Sequence, residues 1–345
     1  MSGLVCPLPA IAGEHIGLAH GGGGALKYRL IEGLFRPAFG IPPGVPAHDG
    51  ASLSLPGARL AFTTDCFVVT PLEFPGGDIG ALAVTGTVND LAMCGARPLS
   101  LSAGFILEEG LEIAILSRLA LSMGRAAADA GVSLATGDTK VVERGKGDGL
   151  YITTAGVGLI PPGLSVGPEF VRPGDAVLLS DDIGRHGIAI MAARESLGFE
   201  TALESDMACL APAVQALSNA GIAPHCLRDL TRGGLASALA EIAGAAALMV
   251  GVNESAIAVS KSVRGACEIL GLDPLYVANE GRFVAFVPEP EAEPALAVLR
   301  HHPGGAAARI GTVGEAAQPG SVLLETIGGA RVLDLLSGEQ LPRIC

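Results

Sequence analysis

Asp78-Ile79-Gly80-Ala81-Leu82-Ala83-Val84-Thr85-Gly86-Thr87-Val88-Asn89-Asp90-Leu91-Ala92-Met93-Cys94 is the stretch on which the fold turns. Ile79, Leu82, Ala83, Gly86 and Asp90 recur at three-to-four spacing, which predicts a helix. On its N-terminal side Arg59–Thr64 reads as a strand, which Val68-Val69 continues past Asp65. On its C-terminal side Pro98–Leu107 reads as a strand. Leu111–Ala130 reads as a long helix that stops at Gly131, as a glycine C-cap would stop it. Ser133–Val142 and Leu150–Ile160 are two further strands.

Working outward, residues 1–50 are glycine-rich, with His20-Gly21-Gly22-Gly23-Gly24 opening a short amphipathic helix marked by Leu26, Leu30 and Leu34. Pro161-Pro162-Gly163 marks a boundary, and Ala176–Ser180 opens the second half as an apolar strand. Helices are expected near 186–197, 206–220, 233–246 and 291–300, alternating with strands near 248–253, 283–287 and 309–314. Val332–Leu336 reads as a last strand, and Ser337–Cys345 as a short polar tail without an apolar run to pin it. The organisation expected is a segment 1–50, a domain 51–162, a domain 163–336 and a tail 337–345. Strands and helices mix in both halves, so the fold class is α+β, two mixed α/β domains.

Composition narrows the function. The chain has 345 residues, 49% of them hydrophobic, and a formal net charge of −13. No basic stripe exists to neutralise phosphates, which argues against nucleic acid. An anionic nucleotide would need metal ions or backbone donors to overcome the repulsion. The seven cysteines are scattered without a CxxC pair, against both a disulfide framework and a zinc cluster. With no signal peptide pattern and no apolar span of ~20 residues, the expectation is a soluble, cytoplasmic protein with no membrane contact.

Four aspartates sit at element boundaries beside Gly or Thr: Asp65 in Thr63-Thr64-Asp65, Asp90 after Asn89, Asp138 in Thr136-Gly137-Asp138-Thr139-Lys140, and Asp229 before Thr231-Arg232-Gly233-Gly234. Hard oxygen ligands without His or Cys suit Mg²⁺. Singly, each also suits a helix cap or an Asx turn. Lys140 lies on the same side of an extended chain as Asp138 and is placed to touch a phosphate, or to remain a solvated strand-edge lysine. Glu280, entering the apolar strand Phe283–Val287, reads as a general base or as a turn residue. The glycine runs Gly21–Gly24 and Gly233-Gly234 offer backbone N–H groups to phosphates without matching dinucleotide or Walker patterns. His186 reads as a helix start. Cys345, a thiol at the chain end, is free to reach into a site as a nucleophile, or is incidental.

Several strings together carry a resemblance over nearly the whole chain, from about His20 to Cys345. They are Phe74-Pro75-Gly76-Gly77, Gly104-Phe105-Ile106-Leu107-Glu108-Glu109-Gly110, Thr136-Gly137-Asp138-Thr139-Lys140-Val141-Val142, Thr231-Arg232-Gly233-Gly234, Ala278-Asn279-Glu280-Gly281 and Pro342-Arg343-Ile344-Cys345. The sequence resembles the hydrogenase maturation factor HypE family, of the superfamily that includes aminoimidazole ribonucleotide synthetase and selenophosphate synthetase. In one departure, the family's His-Gly-Ser-Gly-Gly is His20-Gly21-Gly22-Gly23-Gly24 here, so Gly22 supplies no hydroxyl.

The resemblance implies a homodimer whose N-terminal sheets pair into a β-barrel, with ATP near the interface and a flexible tail carrying Cys345. It implies that HypF carbamoylates Cys345, that ATP drives dehydration to a thiocyanate, and that the cyano group passes to iron on a HypC–HypD complex for [NiFe]-hydrogenase. On this reading Asp65, Asp90, Asp138 and Asp229 bind Mg²⁺. Asp65, Asn89, Asp90, Asp138, Lys140, Gly23 and Gly24 contact ATP. Lys140 and Glu280 position and transfer protons. The competing expectations are a superfamily small-molecule kinase or selenophosphate synthetase-like enzyme, which needs no Cys345, and a carbamoyl carrier without catalysis, which needs no ATP ligands.

Overall fold

A computed structural model describes residues 25–35, 48–195, 203–302, 304–315 and 319–335, together with Leu341 and residues 343–345. Two sheets organise them. The first runs in the order β1 (Ala51–Leu55), β2 (Ala58–Phe67), β7 (Leu150–Ile160), β5 (Arg97–Glu108), β6 (Ser133–Val142). Its pairs are antiparallel, save the parallel β5–β6. That pair is joined by helix α3 (Ile113–Asp129), since parallel neighbours need a crossover. Two-residue strands β3 (Glu73–Phe74) and β4 (Gly77–Asp78) form a small hairpin before the central helix.

That central helix, α2 (Ile79–Met93), is the stretch quoted first. The Asp78 carboxylate caps it, accepting from Gly80 N at 2.8 Å and Ala81 N at 3.0 Å. Every residue of α2 except Asp90 is buried. Small residues make this possible: a Cβ on Gly80 would stand 2.3 Å from Leu119 O of α3. Ile79, Leu82 and Ala83 pack into the first sheet's core, while Ala92 and Met93 join a core of the second half. The helix is a shared wall, and its one incompletely buried residue opens onto the seam between the halves.

The second sheet has seven strands in the order β14 (Gly329–Val332), β13 (Val322–Thr326), β10 (Met249–Asn253), β12 (Ala308–Gly314), β8 (Ala176–Leu179), β11 (Phe283–Val287), β9 (Cys226–Asp229). Val177, Leu179, Val284 and Phe286 face one core with α6 (Gly234–Ala246). Ala176, Leu178, Phe283 and Ala285 face another with α5 (Ala211–Asn219) and α8 (Ala292–Leu299). Covered on both faces, β8 and β11 read as unbroken apolar runs. Helices α4 (Arg185–Arg194) and α7 (Lys261–Leu270) complete the second half; α1 (Ala25–Leu30) passes into a π-turn at Ile31–Phe35.

Some expectations move. The helix expected at 206–220 begins only at Ala211. Asn89 of α2 accepts from Leu210 N at 2.8 Å and donates to Ala208 O at 3.0 Å, holding that segment against α2 instead. The last strand is Gly329–Val332, a hairpin with β13, not Val332–Leu336. Strands β1, β9 and β13 and helix α7 had no counterpart in the sequence reading. Among the described residues no helix is long and apolar enough to cross a membrane, and the six described cysteines form no disulfide.

Candidate active site

Three carboxylates meet at the seam. Asp49 precedes β1, Asp90 lies in the last turn of α2 and Asp229 ends β9, and each offers an oxygen within 4.8 Å of the others. Thr63 Oγ1 lies 2.8 Å from Asp90 Oδ2 and 2.9 Å from Asp49 O, tying β2 to the cluster. Burial pushes the Asp90 carboxyl well above the usual range, and the charges of Asp229, Asp49 and Asp65 add to it. Asp229 is pushed up likewise, by burial and then by Asp49. Asp65 faces this cluster from β2: a Cβ on Gly86 of α2 would lie 4.0 Å from its Oδ2.

The acids are under-compensated. Arg228 pairs with Asp49 and, at 2.8 Å, with Glu241. Asp229 Oδ2 is buried without a hydrogen-bond partner. Crowded hard oxygens, mutually repelling and with an orphaned acceptor among them, fit Mg²⁺. A divalent cation would relieve the repulsion that raises these groups.

Beside the acids stand Glu280, Arg232 and the chain end. Glu280 is buried, with Oε1 unpartnered, and its carboxyl is held well above the usual range by burial, Asp229 and Asp65. Its backbone is fixed, since Glu280 N donates to Asp206 Oδ1 at 3.0 Å. A Cβ on Gly281 would stand 2.0 Å from Asp206 O, so the strings 206–208 and 280–281 lie in close contact. Arg232 Nη1 lies 3.0 Å from Cys345 Sγ. The charge felt at Arg232 comes first from Cys345, then from Asp65 and Glu280 against the cost of burial. One guanidinium therefore joins the terminal thiol to the acidic seam.

The chain end is docked inward along β2 and the turn after it. Val68 N donates to Cys345 O at 3.0 Å and Thr70 N to Arg343 O at 3.3 Å. Arg343 pairs with Asp148 and donates from Nε to Val68 O at 3.3 Å. His186 Nε2 lies 2.7 Å from Ile344 O and its Nδ1 2.8 Å from Ser205 Oγ. Burial lowers the His186 pKa to about 4, so the ring is neutral, Nε2–H donates to the carbonyl and Nδ1 accepts from Ser205. Leu341, Ile344 and Cys345 are 4%, 2% and 6% exposed. Two apolar side chains thus pin an end that the sequence reading took as having nothing to pin it.

Of the residues expected in the site, Asp65, Asp90, Asp229, Glu280 and Cys345 converge. Asp138 and Lys140 do not join them within one chain. Pairing runs Asp65↔Thr154, Thr154↔Ala103 and Ala103↔Gly137, so Gly137, not Asp138, shares the inward row with Asp65. Asp138 shares the opposite face with Cys66, Thr153 and Gly104, and one residue of strand parity decides it. Asp138 and Lys140 pair with each other at 2.8 Å, with both side chains 72% exposed. Asn89 donates to Ala208 O and accepts from Leu210 N, which makes its side chain a brace between the halves. The Gly233-Gly234 turn spends Gly234 N on Thr231 O at 2.9 Å. Its glycines serve close packing, since a Cβ on Gly234 would lie 2.6 Å from Leu275 O. Gly23 and Gly24 lie outside the described residues. Asp49 and His186 were missed as site residues. Asp49-Gly50 carries the same acid-beside-glycine signal as the others but was absorbed into the glycine-rich segment.

Comparison with known proteins agrees with this architecture. The family description "AIR synthase related protein, N-terminal domain" matches residues 47–160, and "AIR synthase related protein, C-terminal domain" matches residues 172–323. Carbamoyl dehydratase HypE of Rhodobacter capsulatus is 53% identical over 340 residues, covering 97% of this chain and all of that protein. A hydrogenase maturation protein HypE solved in complex with ATP superposes with a TM-score of 0.81 at 50% identity, covering 94% of this chain and 98% of that one. A HypE solved in a HypE–HypF complex gives a TM-score of 0.83 at 43% identity, covering 89% of this chain and 99% of that one.

Proposed function

The chain belongs to the carbamoyl dehydratase HypE family, and from that membership and the seam geometry we propose that it dehydrates a thiocarbamate carried on its own Cys345 to a thiocyanate, at the expense of ATP. The observation that carries this reading is the terminal thiol held 3.0 Å from Arg232 beside Glu280 and the acidic cluster. A carrier alone would not need its thiol at an acidic site, and a small-molecule kinase would not need its chain end there.

A primary amide keeps its oxygen because hydroxide is a poor leaving group. Attack of the carbamoyl oxygen on the γ-phosphorus forms a C–O–P linkage as the bond to ADP breaks. The C–O bond then breaks with its electron pair on phosphate, two N–H protons leave, and S–C≡N remains. The sum is thiocarbamate plus ATP giving thiocyanate, ADP, phosphate and a proton. Asp49, Asp65, Asp90 and Asp229 would hold Mg²⁺, which supplies charge neutralisation at the phosphates. Glu280, buried with its Oε1 unpartnered beside Asp229 and Arg232, accepts an N–H proton.

Two copies are proposed to pair through their first sheets. β6 is an edge strand with every residue but Val142 exposed, and Phe62 and Ile106 expose apolar surface on the same face as Asp138. Such pairing would carry Asp138 and Lys140 to the partner's nucleotide. HypF is the proposed carbamoyl donor, a HypE relative having been solved in complex with HypF; the inward end would swing out to receive the group and to deliver cyanide to a HypC–HypD acceptor for [NiFe]-hydrogenase, in a cytoplasmic setting that keeps thiols reduced.

Intact-protein mass spectrometry after incubation with HypF, carbamoyl phosphate and ATP tests the reading. Gain of one carbamoyl group followed by loss of one water is expected. A stable adduct would instead mean a carrier, and no adduct another enzyme of the superfamily.

A further inference from the structure

The string Thr231-Arg232-Gly233-Gly234 entered as a glycine turn, and the reaction set out above uses none of its side chains. Its backbone course is settled without Arg232. Gly233 and Gly234 take φ of 86° and 61°, and the turn is pressed against Leu275 O and Val277 O, 2.6 and 2.7 Å from where a Cβ on Gly234 would stand. The arginine side chain is therefore free for another task, and it is directed at the reacting atoms.

Two observations define that task. Arg232 Nη1 donates to Cys345 Sγ at 3.0 Å. The same buried guanidinium also feels Asp65 and Glu280, so it spans from the thiol to the proposed base. A carbamoyl oxygen on this sulfur would lie two bonds from it, within reach of the terminal N–H groups of the same guanidinium.

We propose that Arg232 is a catalytic residue of the dehydration, gripping Sγ through Nη1 and presenting a second terminal Nη–H to the carbamoyl oxygen while that oxygen is phosphorylated and expelled. This rests on the reading of Cys345 as the substrate carrier. Charge builds on that oxygen and its phosphoryl group as the C–O bond breaks, and a fixed cation stabilises it without reorganisation. Arg232 surrenders no proton, so the two N–H protons still require a base such as Glu280. The groups facing the guanidinium are Cys345 from the chain end, Asp65 from β2, Asp229 from β9 and Glu280 from the segment before β11. Together they hold it charged, while His186 behind the chain end is neutral.

The test uses full-length protein carbamoylated beforehand on Cys345, followed by single-turnover loss of water on adding Mg-ATP. Wild type must first convert; if it does not, the function proposed above fails and Arg232 is not at issue. With wild type converting, Arg232→Gln is expected to slow conversion by ~100-fold or more, the scale of one preorganised donor, with ATP binding retained. Arg232→Lys, which keeps charge but not the fork, is expected to fall between them. Arg232→Ala is expected to recover rate when guanidinium chloride is added at concentrations that leave wild type unchanged. Conversion of Arg232→Gln at the wild-type rate would overturn the assignment. So would loss of ATP binding in parallel with rate, or failure of guanidinium to rescue, since either would reduce Arg232 to a structural or nucleotide-holding part.

Discussion

Replacing His186 with Phe should loosen the chain end without unfolding the protein. The ring stacks edge-on against Phe74 with centroids 5.6 Å apart at 87°, a contact a phenyl ring preserves. What disappears is the 2.7 Å hydrogen bond to Ile344 O. Leaving a buried carbonyl without its donor costs ~1–3 kcal/mol. If the whole penalty falls on the docked state, the docked-to-undocked ratio drops by roughly 5- to 150-fold. Alkylation of Cys345 by a bulky maleimide, read peptide by peptide because Cys66 is exposed and reacts too, reports that ratio when docking equilibrates faster than labelling. Ser205→Ala removes the partner at the far nitrogen and serves as the control, expected to label close to the wild-type rate. The docked ring titrates near 4 against an ordinary 6.5. Its contribution is thus fully present above pH 6.5 and is lost as pH falls toward 4, where the undocked form takes up a proton more readily. The ratio of His186→Phe to wild-type labelling should accordingly shrink across that window. Equal labelling of Cys345 in the two proteins at neutral pH would refute the docking role of this histidine.

Other perturbations separate the parts of the site. Glu280→Gln should accept carbamoyl normally yet dehydrate ~100-fold or more slowly, and thermal unfolding should show it at least as stable as wild type, since a buried, repelled carboxyl is removed; conversion at the wild-type rate would remove it as the base. Asp229→Asn relieves the same crowding, so its melting temperature without Mg²⁺ should rise, while Mg-ATP affinity by calorimetry should fall by ~10-fold or more. Lys140→Ala and Glu280→Gln should each dehydrate ~100-fold or more slowly alone. If Lys140 acts across a dimer, mixing them by refolding should restore about a quarter of the sites, because half the dimers are mixed and each has one complete site. No recovery on mixing would place Lys140 and Glu280 in the same chain's site, against the opposite sheet faces on which Asp65 and Asp138 stand.

Apolar runs buried on both sides, such as Phe283–Val287, and the small-residue helix Ile79–Met93 were legible because their pattern is local. So were Asp65, Asp90 and Asp229, each beside a turn-forming or small neighbour. Asp49 carried the same signal, but its weight depends on meeting Asp90 and Asp229 across the seam, a long-range fact that no window of sequence contains. Asp138 is the opposite case, standing apart from the acids of its own chain. It does share a face with Lys140, as its spacing implies, yet which face is fixed by the pairing of β5 with β6, and β6 stands three strands from β2 and its Asp65, both of them long-range facts. The chain end shows why composition misleads at short range. The stretch Ser337–Cys345 looks polar, but Leu341 and Ile344 need no apolar run when the receiving surface is already built: a Cβ on Gly187 would stand 2.9 Å from Leu341, and Val68, Thr70 and His186 meet the backbone between Arg343 and Cys345. Two buried side chains and a handful of hydrogen bonds, set against the entropy of ordering a few residues, leave docking close to balance. On the function proposed above, such an end would hold its thiol beside Arg232 for chemistry and release it for exchange with partners. A longer apolar tail would dock more firmly and make the second requirement harder to meet.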